Sequence, residues 1–125
     1  MKLKIYTVKK HVDRRGWLTE ILREDRIKNK IAQIHVSLSK KGVLRGGHYH
    51  TRKVEWFTVI TGKARFYFKN LKNGKEWETE LSGDDLKVIE VPPFVYHQVL
   101  SLSQNMLFLV GVNEVYNEDD GDTFS

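Results

Sequence analysis

Apolar and polar residues alternate along most of the chain with the two-residue period of half-buried β-strands. Residues 2–8 alternate loosely and predict a first strand suited to a sheet edge. Residues 11–16 are turn-rich and end on Gly16. Residues 17–23 then alternate, with Leu18, Glu20 and Leu22 on one face and Trp17, Thr19 and Ile21 on the other. Residues 24–30 are charged and aperiodic, which fits a loop or one helical turn. Residues 31–38 set Ile34, Val36 and Leu38 on one side, with Gln33, His35 and Ser37 opposite. The mainly apolar run at 54–60, which carries Glu55 near its start, reads as a buried strand. Thr61-Gly62 predicts a tight hairpin into 63–69, where Ala64, Phe66 and Phe68 alternate with Arg65, Tyr67 and Lys69. Asn73-Gly74 is a strong hairpin signal, and Glu76, Glu78 and Glu80 then alternate with Trp77, Thr79 and Leu81. Strands at 86–91, 97–102 and 106–112 complete the set, the first of them closed by Pro92-Pro93. The acidic tail, 117–125, is expected to be loosely held. About ten short strands, frequent turns and no long amphipathic helix predict one all-β domain, an antiparallel sandwich or barrel.

Composition narrows the reading. At 125 residues the chain fits a single domain with a real core. It contains no cysteine, so disulfides and thiolate metal sites are excluded, in keeping with a reducing compartment. The N-terminus lacks a long apolar core and a small-residue cleavage site, and no apolar run nears the about 20 residues that span a membrane. The expectation is a soluble cytoplasmic protein with no membrane partner. A net charge of +5 and a pI of 9.4 make the surface basic. The basic residues are scattered among acids, without a helix-turn-helix, zinc-finger or RNA-binding signature, so nucleic acid is not expected as a partner. Arginines facing a pocket would instead hold a diphosphate.

The chemistry concentrates between Gly42 and Gly62. His48 and His50 are two apart, so extended backbone turns both imidazoles to one face. Glu55 shares strand parity with Phe57 and Val59. A carboxylate buried beside them must be protonated, paired or metal-bound. Further on, Pro92-Pro93 ends one strand and delivers His97 at the start of the next. His48, His50, Glu55 and His97 together offer three imidazole nitrogens and one carboxylate, a set suited to zinc, iron, manganese or nickel with coordination positions left open. The alternative is that the histidines are loop residues and Glu55 a surface acid. His11 and His35 fall outside the set: His11 precedes a turn, and His35 reads as a packed or surface residue.

The spacing of Gly42, His48, His50, Glu55 and Gly62 resembles the first motif of the cupin family, G-x5-H-x-H-x4-E-x6-G. Residues 92–97 resemble the second, with Pro92 and His97 in place but Phe94 where glycine is usual and Ser101 where asparagine is usual. The resemblance implies a double-stranded β-helix, or jelly-roll, barrel of antiparallel strands over residues 1–125. Asp13-Arg14-Arg15-Gly16 with Glu20 resembles the D-x-R-G segment of sugar-nucleotide epimerases and ketoisomerases. The stretches 33–39 and 42–48 are similar to deoxythymidine-diphosphate 4-dehydrorhamnose 3,5-epimerases, in which the arginine matching Arg45 grips phosphate and the histidine matching His48 is the base. That family uses no metal, and His50 stands where its glutamine is usual. Val110 stands where its tyrosine acid belongs, and the region carrying the aspartate partner of its base lies past residue 125. Its mechanism therefore does not carry over. Residues 30–125 resemble more closely the cupin domain that follows a short-chain reductase in capsular polysaccharide biosynthesis enzymes, through 46–55, 82–93, 113–116 and 122–124. This resemblance implies zinc, and C3 epimerisation of a UDP 4-keto-6-deoxy-N-acetyl sugar that a reductase domain then reduces. The sequence has no G-x-G-x-x-G, so a separate reductase is the expected partner.

The expected activity is that of a sugar-nucleotide epimerase or isomerase. A base takes the C3 proton, a cation at the ketone oxygen stabilises the enolate, and another donor returns a proton to the opposite face. Candidate acids and bases are His48, Glu20, Tyr49 and Tyr96. Arg15, Arg45 and Lys53 would hold the diphosphate. His48, His50, Glu55 and His97 would hold a divalent metal, zinc first. The alternatives are a metal-dependent cupin dioxygenase and a non-catalytic sugar-binding cupin. Exchange of the edge strand at 2–8 would make a homodimer.

Overall fold

A computed structural model describes residues 2–119 and 121–125. In chain order the elements are β1 (Ile5–Thr7), β2 (His11–Asp13), β3 (Gly16–Leu18), α1 (Glu24–Ile27), β4 (Gln33–Ser39), β5 (Leu44–His48), β6 (Glu55–Thr61), β7 (Lys63–Asn70), β8 (Glu76–Ser82), β9 (Lys87–Val91), β10 (Val95–Ser101) and β11 (Met106–Val112). They form a five-stranded sheet in the order β1-β9-β6-β11-β4, a four-stranded sheet in the order β5-β10-β7-β8, and a separate β2-β3 hairpin. All pairings are antiparallel, as a jelly roll requires.

Period-two alternation builds the barrel interior. Phe66 and Phe68 from β7, Val95 and Val99 from β10, and Phe108 and Val110 from β11 all point inward and are buried. Phe57 of β6 lies edge-on to Phe108 at 5.1 Å and stacks on Phe66 at 6.0 Å. Each such ring contributes about 1.5–3 kcal/mol by leaving water. Residues 55–59 of β6 are buried on both faces, and apart from Glu55 and Thr58 they are apolar. Trp56, on its outer face, is enclosed by Val8, Ile27, Leu86 and Val88, with Ile21 and Leu22 packed alongside. The Trp56 indole N–H donates to Glu90 Oε1 at 2.9 Å, so its polar edge is satisfied.

Three sequence expectations change here. Thr61-Gly62 is a corner, because β6 and β7 lie in different sheets. Gly62 has φ 83°, and a Cβ there would stand 2.5 Å from Ser103 Oγ. Alternation at 17–23 yields only the short β3, since Ile21 and Leu22 leave the strand to pack near Trp56. The tail is tied down at its end: Asp122 is 1% exposed, while 117–119 lie in solvent. Strand β1 pairs with β9 of its own chain at the sheet edge, in the register Ile5 to Ile89.

Candidate functional site

Strands β5 and β10 bring His48 opposite His97, with a bulge between His97 and Gln98. The chain passes very close here. Gly46 has φ 87°, and a Cβ on it would lie 2.8 Å from the His97 carbonyl oxygen. Glycine is therefore what the bulge needs before His48. β5 ends at His48, and His50 follows in the loop toward β6. The ring centroids lie 5.2 Å apart for His48 and His50, 4.8 Å for His48 and His97, and 5.7 Å for His50 and His97. One nitrogen from each ring falls within 4.8 Å of the others. Glu55 opens β6 and points into the same space, its Oε1 3.1 Å from His50 Nε2 and 3.4 Å from His97 Nε2.

Backbone carbonyls fix how these rings are protonated. His50 Nδ1 lies 2.6 Å from the Asp122 carbonyl oxygen and His97 Nδ1 lies 3.1 Å from that of Val95. A carbonyl only accepts, so each Nδ1 carries the hydrogen and each Nε2 of the neutral ring presents a lone pair to Glu55. Among the described residues, neither His50 Nε2 nor Glu55 Oε1 has a partner in hydrogen-bond geometry. Lone pairs facing a buried anion repel unless a proton or a cation lies between them. Burial pushes His97 down to about 4, against the pull of Glu55, and burial with neighbouring His50 also lowers His48. Burial opposes charge on His50 as well, but the Glu55 carboxylate outweighs it and raises that ring. Burial likewise opposes the Glu55 charge, and the imidazoles around it still hold its pKa below the ordinary value. The metal-free resolution is a His50–Glu55 ion pair. A divalent cation resolves the same repulsion with all four groups, so the orphaned atoms and the donor set fit zinc, iron, manganese or nickel.

The cluster forms the floor of a cavity with two adjoining lobes of about 230 and 190 Å³, both bordered by His35, His48 and Glu55. Gln33, Lys53 and Tyr116 line the first lobe; Ser37, Arg45 and Phe57 line the second. The structure thus brings His48, His50, Glu55 and His97 together and sets Arg45 and Lys53 beside them. Arg45 donates through Nε to Ser39 Oγ at 2.7 Å. Lys53 is buried, its Nζ 5.5 Å from the centre of the Tyr116 ring. Tyr49 and Tyr96 belong elsewhere. As direct neighbours of inward histidines they face outward, and they line a separate hollow with Tyr67 and Lys69. Exposed Glu20 accepts from Arg23 at 3.0 Å, and Arg15 pairs with Asp13 at 2.6 Å. Neither Glu20 nor Arg15 is among the described residues that line the cavity.

His35, Gln33 and Tyr116 line the cavity without having been site candidates, and Asp122 supports it from behind. The alternation of 31–38 did separate the Gln33–His35–Ser37 side from the apolar side. It did not reveal that the polar side faces inward.

The fold and this centre define a jelly-roll barrel with a largely buried three-histidine, one-glutamate cluster open to a cavity. Residues 11–124 match the model of the polysaccharide biosynthesis C-terminal domain, and the chain belongs to that family. It is 33% identical over 121 residues to the UDP-2-acetamido-2,6-beta-L-arabino-hexul-4-ose reductase of Pseudomonas aeruginosa, covering 96% of this chain but 32% of that protein. The capsular polysaccharide assembling protein CapF of Staphylococcus aureus superposes with a TM-score of 0.71 at 31% identity, over 95% of this chain and 34% of that one. The dTDP-6-deoxy-D-glucose-3,5-epimerase RmlC of Legionella pneumophila, solved with dTDP-4-keto-L-rhamnose, superposes with a TM-score of 0.87 at 25% identity, over 98% and 71%. The chain thus spans about a third of the length of the first two relatives.

Proposed function

We propose that this domain is a sugar-nucleotide epimerase or isomerase of surface polysaccharide biosynthesis, acting on a nucleoside-diphosphate 4-keto-6-deoxy sugar by C3 enolate chemistry. The observation that carries this reading is the convergence of His48, His50, Glu55 and His97 in a cavity that Arg45 and Lys53 also line. Likeness to an epimerase of dTDP-sugars supports the substrate class. The two lobes adjoin, and together they fall within the about 300–1,000 Å³ of a small-ligand pocket. A sugar ring fits beside the cluster with its diphosphate reaching Arg45, whose guanidinium offers a bidentate fork.

His48, His50, Glu55 and His97 would hold a divalent cation, zinc first. When bound, that cation supplies Lewis acidity to a ketone oxygen. His48 is then committed to the cluster, and proton transfer falls to other groups on the cavity wall. His35 and Tyr116 both line the lobe beside the cluster and can accept or donate a proton. Buried Phe57, Phe108 and Val110 close the inner wall against water. The C4 ketone survives epimerisation, which fits a reductase acting next on the product. A homodimer is favoured by the outer face of β4, where Ile34, Val36 and Leu38 are exposed as an apolar stripe. Among the described residues no helix is long and apolar enough to cross a membrane, and a cytoplasmic location fits the cysteine-free sequence.

The test is solvent deuterium. UDP- and dTDP-linked 4-keto-6-deoxy sugars are incubated with protein in D₂O and followed by NMR. Exchange at C3 supports the proposal. Binding without exchange at C3 or C5 would reduce the domain to a sugar-binding module, and oxygen uptake with bound iron would move it to the dioxygenases.

A further inference from the structure

We propose that Asp122 is a positioning residue: its carboxylate docks the C-terminal segment onto the loop after β5, and its carbonyl then fixes the tautomer and aim of His50. The loop at 49–54 lies outside the main ladders, so strand pairing alone does not orient the His50 ring. The Asp122 carboxylate supplies what the strands do not. Its Oδ1 accepts from the Thr51 N–H at 2.7 Å and from the Thr51 hydroxyl. Its Oδ2 accepts from the N–H groups of Arg52 and Lys53, each at 3.1 Å. Three successive backbone N–H groups thus converge on one buried anion, a concave arrangement that selects negative charge.

With the carboxylate seated, the Asp122 carbonyl meets His50 Nδ1 at 2.6 Å. Two residues on, Phe124 exchanges backbone bonds with Tyr49 at 2.8 and 3.0 Å, and the two rings stack at 5.3 Å. Thr123 between them borders the cavity. Residues 122–124 therefore clasp the segment that carries His50. An acceptor on Nδ1 holds the ring so that the Nε2 lone pair points at the cluster, and partners of this kind raise ligand basicity. Only the metal arm of the test below rests on the proposed function.

The experiment compares full-length wild type with Asp122→Ala, Asp122→Asn and Phe124→Ala. Nitrogen-15 NMR reads the His50 tautomer in metal-free protein at a pH alkaline enough to leave the ring neutral, titration with Zn(II) alone reads affinity, and melting reads stability. Wild type is expected to hold a single Nδ1–H tautomer. In Asp122→Ala the tautomers mix and Zn(II) affinity falls about 10- to 100-fold. Asp122→Asn keeps one accepting oxygen and recovers part of both. Phe124→Ala lowers the melting temperature yet leaves the tautomer in place. An unchanged tautomer in Asp122→Ala would overturn the proposal. So would equal losses in Asp122→Ala and Phe124→Ala, which would make the tail a structural anchor only. A wild type that binds no Zn(II) would sink the metal reading, while the tautomer still decides the role of Asp122. If Asp122→Ala does not fold, the tautomer in Asp122→Asn decides: a mixture supports the proposal and a pure wild-type signal contradicts it.

Discussion

At the open end of the barrel, His48, His50, Glu55 and His97 interlock within a few ångströms, three of the four buried. The β2-β3 hairpin at 11–18 carries a comparable density of charged and aromatic residues, yet it stands in solvent. Its Arg15 meets Asp13 two residues away, and Lys10 covers the ring of Trp17 at 4.5 Å. The difference lies in what holds each group. Ladders to two neighbours set Glu55 and His97, and the packed rings of Phe57 and Phe68 lie around them. Arg15 sits at the turn of a two-stranded ribbon, and among the described residues its side chain pairs with Asp13 of the same ribbon. Geometry that chemistry can use comes from the first kind of support, and only local pairing comes from the second.

Substitutions can sharpen or break that contrast. Phe66→Ala, in the frame that supports the cluster, should cost about 3–5 kcal/mol in chemical denaturation, and a loss below 1 kcal/mol would show that the frame is not what holds the site. Gly46→Ala forces a side chain toward the His97 carbonyl at a positive φ. It should cost about 1–3 kcal/mol and displace His97, seen as lost Zn(II) binding, whereas unaltered binding would show that the bulge does not matter. Arg45→Ala removes a charge-assisted contact of about 1.5–3 kcal/mol. Calorimetry should find nucleotide-sugar affinity roughly 10- to 100-fold weaker, with only the small fall in melting temperature that loss of the bond to Ser39 brings. Arg15→Ala should change neither melting nor nucleotide-sugar affinity of the isolated chain, and a clear fall in affinity would put the hairpin back into a site.

The convergence of His48, His50 and Glu55 was legible because their spacing is local, and the strand period with the Pro92-Pro93 turn added His97. His48, Glu55 and His97 each sit on a strand whose inward parity is marked by buried neighbours, such as Val95 and Val99 for His97. Parity also explains two misses. Tyr49 and Tyr96 adjoin histidines in sequence and for that reason face the other way. β4 misleads in a different manner: Ile34, Val36 and Leu38 point outward and His35 inward, the reverse of the usual burial rule, because a polar cavity lies inside. Gly62 reads equally well as a hairpin or a corner until the sheet order is known. Residues 122–124 carry part of the family resemblance, but the role of Asp122 was not legible. Its partners, Thr51 to Lys53, lie some seventy residues away, and an acidic tail reads as solvated.

The central claim is that Glu55 is a buried member of a cation-binding cluster and not a surface acid. Melting with and without chelator, for wild type and Glu55→Gln, tests it most directly. A cation bound only by the folded state adds its binding free energy to stability. Wild type loaded with Zn(II) should melt higher than the chelated protein, and Glu55→Gln should lose most of that increment. The chelated variant should be no more stable than chelated wild type, because the buried His50–Glu55 pair is lost with the carboxylate. A wild-type curve indifferent to chelator, with no metal in the purified protein, would contradict the account and return His50 and Glu55 to a metal-free ion pair.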